Sequence, residues 1–361
     1  MVLHTLYAFD IPALVPLGAG TSITYGSLAA SCGSDDEGQP LRADDLRRVL
    51  QAAISFRIFE EASPNVSVRH NAVSAVFAGV PGMRDFLGLL AEEHAPAAGC
   101  FVESLRRWPG SGEPGHAALM VAARREQQIN SEEDEALDPS KGLFDYISHD
   151  AARVARFRSA MGVAALSPAF SPTHFVERLP WSSDAAPETV VDIGGAGGEL
   201  SQLILRTHAR VRRAVSLDLP EVVAGAQVPA DLEGRLEFAA YDFLAQTVPR
   251  EGADAYVFRH IFHDWSDQYA ARILSNLVPA LKPGRSRVWL SEVVLPDLGC
   301  YTRDQLQRSA DLHMKAGFNG KERSRQDWES LFAQVDKRFR IVNITQPDGA
   351  HDAVIEVAFD A

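Results

Sequence analysis

Apolar residues in the first third of the chain recur at helical spacing. In LRADDLRRVLQAAIS, residues 41–55, Leu46, Leu50 and Ala53 fall on one helical face and Arg47 falls on the opposite one. The next segment, RIFEEASPNVSVRH, contains two short β-prone runs around a Ser-Pro-Asn turn. Helices followed by a small hairpin predict a mostly helical, winged-helix-like N-terminal domain, which we place at residues 1–120.

From about residue 187 the pattern changes to buried strands that alternate with amphipathic helices. This alternation is typical of a parallel α/β sheet. The chain then closes with RIVNITQ, a Pro-Asp-Gly turn and AVIEVAF, which predict a terminal antiparallel hairpin. We assign residues 121–361 to this second domain. Its predicted strands are Thr189–Ile193, Ala214–Leu217, Ala255–Phe258 and Val288–Leu290, and its predicted helices include Glu199–His208 and Gln268–Leu281.

Composition narrows the classes of partner. The chain has 35 Lys and Arg against 48 Asp and Glu, a net charge of −13. Nonspecific binding to nucleic acid or to anionic membranes depends on an excess of basic residues, so neither partner is expected. No run of about 18 apolar residues occurs, and the opening residues lack the features of a signal peptide. With three widely separated cysteines, the sequence predicts a cytoplasmic protein.

A glycine-rich turn joins the first predicted strand of the sheet to a helix in VVDIGGAGGEL. Gly194, Gly195 and Gly197 would let the backbone approach a ligand at the carboxyl end of the strand. The dinucleotide fingerprint requires a further glycine at position 200, where the chain has Leu200. This departure counts against NAD as the ligand.

Two acidic residues downstream favour S-adenosylmethionine. Asp218 follows the second strand, where a carboxylate can accept both hydroxyls of a ribose. Asp242 follows the third strand and could accept the adenine amino group while Phe243 packs on the ring. The alternative is that Asp218 only begins the turn at Leu219 and Pro220.

The segment FRHIFHDWSD supplies a candidate general base. His263 has an unperturbed pKa near neutrality, and a carboxylate beside it would orient the imidazole. Glu292 and Glu322 are the candidates for that carboxylate, although Glu322 could instead pair with Arg323 or Arg325 on the surface. Three alternatives remain for this segment: the histidine is only structural, the protein is a metal phosphohydrolase, or it is a serine hydrolase. The sequence lacks the further ligand cluster that the second would need and the G-x-S-x-G motif that the third would need.

These segments together resemble the small-molecule O-methyltransferases that use S-adenosylmethionine, of the plant caffeate and fungal polyketide type. The resemblance rests on VVDIGGAGGEL, VSLDLPEVV, FRHIFHDWSD, LKPG, LSEVVLPD and DLHMKAGFNGKERS and is specific from about residue 140 onward. It implies a class I methyltransferase fold with a Rossmann-like sheet, behind a dimerising winged-helix region. It also implies that His263 removes the proton of the acceptor hydroxyl, flanked by Glu292 and Glu322.

The resemblance further assigns binding residues. It places Gly194, Asp218, Leu219, Asp242 and Phe243 on the cofactor, and Arg259 stands where many members carry a cofactor-contacting lysine. Gly-Gly-Ala-Gly-Gly replaces the commoner Gly-Gly-Gly-Thr-Gly. Four further residues match positions that often line the acceptor pocket, namely Phe157, Met161, Met314 and Asn319.

The predicted function is transfer of a methyl group to a phenol or enol oxygen of a secondary metabolite, with His263 as the general base and without a metal. The protein is expected to be a homodimer. One rival is a methyltransferase-fold enzyme that binds the cofactor but catalyses a pericyclic or dehydration step. In such members the catalytic histidine is replaced, whereas His263, Glu292 and Glu322 are all present here. The second rival, a noncatalytic winged-helix regulator, is opposed by the acidic charge.

Overall fold

The computed structural model describes residues 1–33, 41–128, 138–181, 186–299 and 301–361 and forms two compact units. The first contains Met1–Cys100, Phe144–Ala165 and the described part of residues 122–132. The second contains Phe101–Val121, Leu166–Ala361 and the described part of residues 133–143. The chain therefore passes between the units more than once, which differs from the single boundary we predicted at residue 120.

Ion pairs explain why residues 144–165 belong to the first unit. Helix Ala151–Ala165 packs on helix Met83–Gly88. Arg156 on the first of these helices pairs with Glu93, which is buried, and with Glu92. A buried carboxylate is stable only when it is paired, so these contacts fix the helix to the N-terminal residues.

The N-terminal helices and hairpin follow the predicted winged-helix order. Helix Ala43–Ser55 buries Leu46, Leu50 and Ala53, as its periodicity predicts. Strands Glu60–Ser63 and Ser67–Arg69 form the predicted hairpin, and Ile23–Thr24 pairs with its second strand. This unit also contains the helices Val2–Ala8, Ile11–Leu14, Tyr25–Ser31 and Ala72–Gly79 and the π-helix Leu89–His94, while Ala95–Arg107, Ala118–Gln128 and Leu143–Ser148 contribute to both units.

A seven-stranded sheet forms the centre of the second unit. In chain order its strands are β1 (Thr189–Ile193), β2 (Arg213–Asp218), β3 (Leu236–Ala240), β4 (Ala255–Arg259), β5 (Arg287–Glu292), β6 (Phe339–Thr345) and β7 (Ala353–Phe359). Their order across the sheet is β6-β7-β5-β4-β1-β2-β3. Strands β1 to β5 are parallel, and β6 and β7 form an antiparallel hairpin. The predicted strands and the terminal hairpin are confirmed.

Helices cover both faces of this sheet, so its central strands are rich in buried apolar residues. Helices Asp267–Leu277 and Arg325–Val335 pack on one face, and helices Pro172–Arg178 and Glu199–Thr207 pack on the other. A capping box of Ser324 and Asp327 begins helix Arg325–Val335, as predicted. The remaining helices are Pro220–Val223 and Tyr301–Phe318, and a short parallel pair joins Val294–Leu295 to Arg323–Ser324. The carboxyl ends of β1 to β5 thus share one edge of the sheet.

Two other features of the described residues concern the membrane and the thiols. No single helix among the described residues has both the length and the apolar character needed to cross a membrane. Helices Ala72–Gly79 and Met83–Arg107, which are bent relative to each other, have the required length and composition only when taken together. Cys32 and Cys100 are free thiols, and Cys300 lies outside the described residues.

Candidate active site

The glycine turn after β1 is closely packed against the edge of the sheet. The N–H groups of Gly194 and Gly195 donate to the Leu217 carbonyl at the end of β2, at 2.8 and 3.2 Å. Gly194 has a φ of +74°, and a Cβ there would lie 2.3 Å from Cδ1 of Ile261. A Cβ on Gly195 would lie 2.2 Å from the hydroxyl of Ser216. These contacts leave no room for a side chain at either position, so the backbone of the turn, called the glycine cradle below, packs directly against Ile261 and Ser216.

Asp218 connects this turn to the end of β2. Its Oδ2 accepts from the N–H of Ala196 at 2.9 Å, and its Oδ1 accepts from the N–H of Leu219 at 2.8 Å. Burial raises the pKa of this carboxyl group. Each carboxylate oxygen has more than one acceptor site, so both can also accept a ligand hydroxyl.

Asp242 and Phe243 lie on the loop that follows β3. Asp242 Oδ1 accepts from the N–H groups of Leu244 and Ala245 at 2.8 and 3.2 Å, which fixes the carboxylate in a local turn. The ring of Phe243 meets Trp265 edge to face with centroids 5.9 Å apart, and its rim lies 4.0 Å from where a Cβ on Gly194 would stand. The ring of Phe243 therefore borders the glycine cradle, and Trp265, which our sequence analysis did not single out, packs against that ring.

His263 lies in the short helical turn Phe262–Asp264, directly after β4, and its side chain is 20% exposed. Its Nδ1 lies 3.2 Å from Oε1 of Glu322, and its Nε2 lies 3.6 Å from Oδ1 of Asp264. Glu322 is buried. The structure therefore brings together the histidine and one of its two candidate carboxylates at hydrogen-bond distance.

Glu292, the other candidate carboxylate, holds the turn that carries the histidine. Its Oε1 accepts from the N–H groups of Ile261 and Phe262, both at 2.8 Å. Its Oε2 is buried and has no hydrogen-bond partner among the described residues. Glu292 thus anchors the backbone of the turn and adds negative charge beside His263.

The three surrounding carboxylates control the charge of His263. Burial alone would lower the pKa of its imidazole, but Asp264, Glu322 and Glu292 outweigh burial and raise the pKa to about 10. Burial raises the pKa of Glu292 to about 7 and that of Asp264 to about 6. The carboxylates therefore favour the protonated form of the imidazole.

The Gly-Lys-Glu-Arg segment wraps around the histidine turn. The buried guanidinium of Arg323 donates to the carbonyls of Phe262 and Trp265 at 2.7 and 2.8 Å. Gly320 lies so close that a Cβ on it would be 2.1 Å from the His263 carbonyl oxygen. The alternative of a surface ion pair between Glu322 and Arg323 is wrong, because both side chains are buried and Arg323 is bonded elsewhere. The position of Arg323 next to Glu322 in the sequence was the signal that could have identified Arg323 as part of the site.

Arg259 and Asn319 make contacts within the second unit that the sequence did not indicate. The guanidinium of Arg259 donates to the Phe170 carbonyl at 2.5 Å. The Asn319 amide is buried and donates to the carbonyls of Ser111 and Glu113 at 3.0 and 2.7 Å. Asn319 therefore holds the loop at residues 111–113 beside the end of helix Tyr301–Phe318.

The other residues predicted for the acceptor pocket lie on two helices. Met314 is partly buried on helix Tyr301–Phe318 of the second unit. Phe157 and Met161 lie on helix Ala151–Ala165 of the first unit, where Phe157 meets Phe144 edge to face at 5.9 Å and Met161 is 40% exposed. Leu219, predicted on the cofactor, is 38% exposed beside Asp218.

The histidine cluster also has the atoms of a small metal site. His263, Glu292 and Glu322 each offer one ligand atom, and these atoms lie within 4.8 Å of one another. One imidazole and two carboxylates can coordinate a divalent cation. However, Glu292 Oε1 already accepts two backbone N–H groups, and Glu322 is at hydrogen-bond distance from Nδ1. The same arrangement is therefore equally suited to two carboxylates that stabilise a protonated imidazole, without a metal between them.

Comparisons with known proteins identify the family. An O-methyltransferase domain model matches residues 182–336. The O-methyltransferase kk1A of Curvularia clavata is 34% identical over 93% of this chain and 73% of its own length. The O-methyltransferase pgmB of Aspergillus terreus (strain NIH 2624 / FGSC A1156) is 30% identical over 98% of this chain and 94% of its own length.

Solved structures share the fold. The crystal structure of OxaC in complex with SAH and oxaline has a TM-score of 0.78 at 22% identity and covers 99% of this chain and 84% of its own. A structure described as a pericyclic reaction enzyme has a TM-score of 0.72 at 20% identity and covers 99% of this chain and 86% of its own. The fold is therefore common to enzymes of more than one activity, whereas the relatives found by sequence are named O-methyltransferases. This chain belongs to the S-adenosylmethionine-dependent O-methyltransferase family.

Proposed function

We propose that the protein transfers the methyl group of S-adenosylmethionine to the hydroxyl oxygen of a phenol or enol in a small secondary metabolite, with His263 as the general base. The observation that carries this proposal is the His263–Glu322 contact on the turn that packs against the glycine cradle. The cradle, Asp218 and the Phe243–Trp265 pair offer backbone, ribose and ring contacts of the kind that an adenosyl group needs. The relatives named O-methyltransferase support the reaction type.

Transfer of the hydroxyl proton to His263 and of the methyl group to the acceptor oxygen would account for all atoms and charges without a further reactant. When bound, S-adenosylmethionine would supply an electrophilic methyl group on a positively charged sulfur. His263 directs Nδ1 at Glu322, and its Nε2, which lies 3.6 Å from Asp264 Oδ1 and so beyond hydrogen-bond distance, would be the nitrogen that takes the acceptor hydroxyl proton when the oxygen is methylated. The base must be neutral first, and a positive charge bound nearby would lower the raised pKa of His263.

The pH dependence of turnover should reflect this raised pKa. Because only neutral His263 can accept a proton, turnover should rise with pH, with a midpoint above the ordinary histidine value of about 6.5. Glu322→Gln removes one of the carboxylates that raise the pKa, so its midpoint should move to lower pH. Single-turnover rates from about pH 5 to about pH 11, a range that includes both the ordinary and the raised pKa, measure both midpoints. A midpoint that does not move in Glu322→Gln would contradict the coupling.

We also propose that turnover needs no metal. The contact of Glu322 with Nδ1 of His263 supports this, since a metal ion that took both of these atoms as ligands would replace the contact. Turnover should be unchanged after treatment with EDTA. Loss of activity that Mg²⁺ or Zn²⁺ restores would contradict the proposal.

Three wider expectations accompany this function. A homodimer is proposed from the family resemblance and from apolar side chains such as Val73 and Val76, which are 45% and 41% exposed on helix Ala72–Gly79. A small-molecule partner, without nucleic acid or membrane, is proposed from the net charge of −13. A cytoplasmic location is proposed from the free thiols of Cys32 and Cys100. Light scattering of the purified chain tests the oligomeric state.

The second candidate function is a pericyclic or dehydration reaction in the same site, favoured by the fold shared with a pericyclic enzyme. Incubation with methyl-labelled S-adenosylmethionine and a panel of phenols and enols separates the two candidates. We expect label on an acceptor oxygen and formation of S-adenosylhomocysteine. A rearranged or dehydrated product with the cofactor unconsumed would favour the alternative.

A further inference from the structure

The turn that carries His263 is closed by long backbone hydrogen bonds. The N–H of Asp264 donates to the Ile261 carbonyl at 3.3 Å. The N–H of Trp265 donates to the Phe262 carbonyl at 3.2 Å. Because both distances exceed the usual value of about 2.9–3.0 Å, these bonds alone hold the turn weakly. The position of the imidazole in the site therefore depends on groups outside the turn.

Lys321 and Arg323 hold the carbonyl oxygens of this turn from outside. The N–H of Lys321 donates to the His263 carbonyl at 2.9 Å. The guanidinium of Arg323 donates from Nη1 to the Phe262 carbonyl at 2.7 Å and from Nη2 to the Trp265 carbonyl at 2.8 Å. One contact of Arg323 thus lies before His263 in the chain and the other lies after it. A single side chain fixes the turn on both sides of the proposed base.

Arg323 is itself fixed by three kinds of contact. Its buried guanidinium donates from Nε to Oδ1 of Asp267 at 2.9 Å, and Oδ2 of the same carboxylate accepts from Nζ of Lys321 at 3.1 Å. The ring centroid of Trp328 lies 5.3 Å from its Cζ. Its backbone pairs with Val294, just beyond β5. Because a guanidinium donates in fixed directions, it can hold two carbonyls and a carboxylate at once, whereas an ammonium group cannot hold the same three positions.

Charged and titratable groups surround His263 on several sides. They are Asp264 in the same turn, Glu292 at the end of β5, Glu322, and His260 directly after β4, whose ring centroid lies 5.6 Å away. Asp311, on helix Tyr301–Phe318, accepts the N–H of Glu322 at 3.0 Å. Burial lowers the pKa of the His263 imidazole, but the three carboxylates beside it outweigh burial and raise the pKa. A displaced turn would take the ring away from these carboxylates and lower its pKa again.

We propose that Arg323 is a positioning residue, which holds the turn so that the His263 imidazole stays against Glu322 while it takes the proton of the acceptor. The inference rests on the proposed function and adds to it a residue that acts through the histidine. A displacement of about 1 Å in a reacting group can cost about 100-fold in rate. A small loosening of the turn should therefore be visible in turnover.

The test compares Arg323→Lys with a matched control, Arg235→Lys. The first variant keeps the positive charge and loses the planar fork. Arg235 is a half-buried arginine of the same unit, just before β3 at the edge of the sheet, whose Nη2 donates to the carbonyls of Leu205 and Val211 at 3.0 and 2.8 Å. A third variant, Asp267→Asn, weakens the anchor of Arg323 at a side chain that is 47% exposed, so it is expected to fold.

Two readouts separate positioning from a general loss of stability. NMR titration of protein with isotope-labelled histidine measures the pKa of His263, whose signal is assigned by its absence in His263→Ala. Steady-state kinetics measures kcat and KM. We expect Arg323→Lys to lower the pKa of His263 towards the ordinary value of about 6.5 and to lower kcat by about 10–100-fold, with KM for the acceptor within a few-fold of wild type. Asp267→Asn should cause smaller changes of the same sign, and Arg235→Lys should cause neither.

An Arg323→Lys protein that melts at a lower temperature but keeps the wild-type kcat and the wild-type pKa of His263 would overturn the proposal. Equal changes in Arg235→Lys would overturn it as well. If Arg323→Lys does not fold, a pKa of His263 in Asp267→Asn equal to that of wild type would have the same consequence. The NMR readout does not depend on turnover. A fall in this pKa in Arg323→Lys, with no methyl transfer by wild type, would contradict the proposed function and support the positioning of the histidine.

Discussion

His263→Ala is expected to bind S-adenosylmethionine as tightly as wild type does and to lose about 10²–10⁴-fold in turnover, which is the usual contribution of a general base. The imidazole is 20% exposed and its Nδ1 is directed at Glu322, so its removal deletes the proton acceptor and leaves the glycine cradle intact. Calorimetry measures cofactor affinity, and single-turnover formation of methylated product measures the chemical step.

A control variant separates chemistry from folding in this experiment. His174→Ala removes a histidine of the same unit whose Nε2 lies 2.9 Å from the Pro168 carbonyl, away from the carboxylate cluster. We expect its turnover to remain within a few-fold of wild type. Turnover by His263→Ala at nearly the wild-type rate across neutral and alkaline pH would show that another group, or none, acts as the base.

Asp218→Ala is expected to weaken cofactor binding by about 1.5–3 kcal/mol, the order for a lost hydrogen bond to a charged group. The variant removes both proposed ribose contacts and also frees the N–H groups of Ala196 and Leu219, which hold the turn. Calorimetric titration with S-adenosylmethionine and S-adenosylhomocysteine should show the loss for both, while NAD should not bind to wild type.

The matched control for Asp218 is another aspartate of the same unit. Asp231 pairs with Arg206, and both side chains are largely exposed, so Asp231→Ala should leave cofactor affinity unchanged. Unchanged affinity in Asp218→Ala would contradict the ribose assignment and would favour the simpler role of Asp218 in beginning the turn at Leu219.

The strands of the large sheet were predictable because both of their faces are buried. Thr189–Ile193 and the three further predicted strands are mostly apolar, and each lies within a residue or two of its observed bounds. The glycine turn was recognisable because Gly194 requires both a positive φ and close packing on Ile261. Local patterns suffice where backbone conformation and burial are decided by neighbouring residues.

Contacts between distant residues were not predictable in the same way. Asp352 is a single acid before the last strand, and it meets His260 only because β7 lies two strands from β4 in the sheet. Asn319 matched an acceptor-pocket position, but its amide is bonded to residues 111 and 113, more than 200 positions earlier. The domain boundary also depended on such contacts, since Arg156 reaches Glu93 across the intervening chain.

The most direct test of the central claim is a double-mutant cycle of Glu322→Gln and His263→Ala, with methyl transfer as the readout. Residues that act as a unit are strongly non-additive, whereas an independent surface ion pair would contribute at most about 1 kcal/mol to stability. Because Glu322 contacts His263 Nδ1 at 3.2 Å, we predict that Glu322→Gln alone costs at least about tenfold in turnover. Added to His263→Ala, the same substitution should cost little more. Fully additive losses would contradict the account, since they would mean that the carboxylate does not act through the histidine.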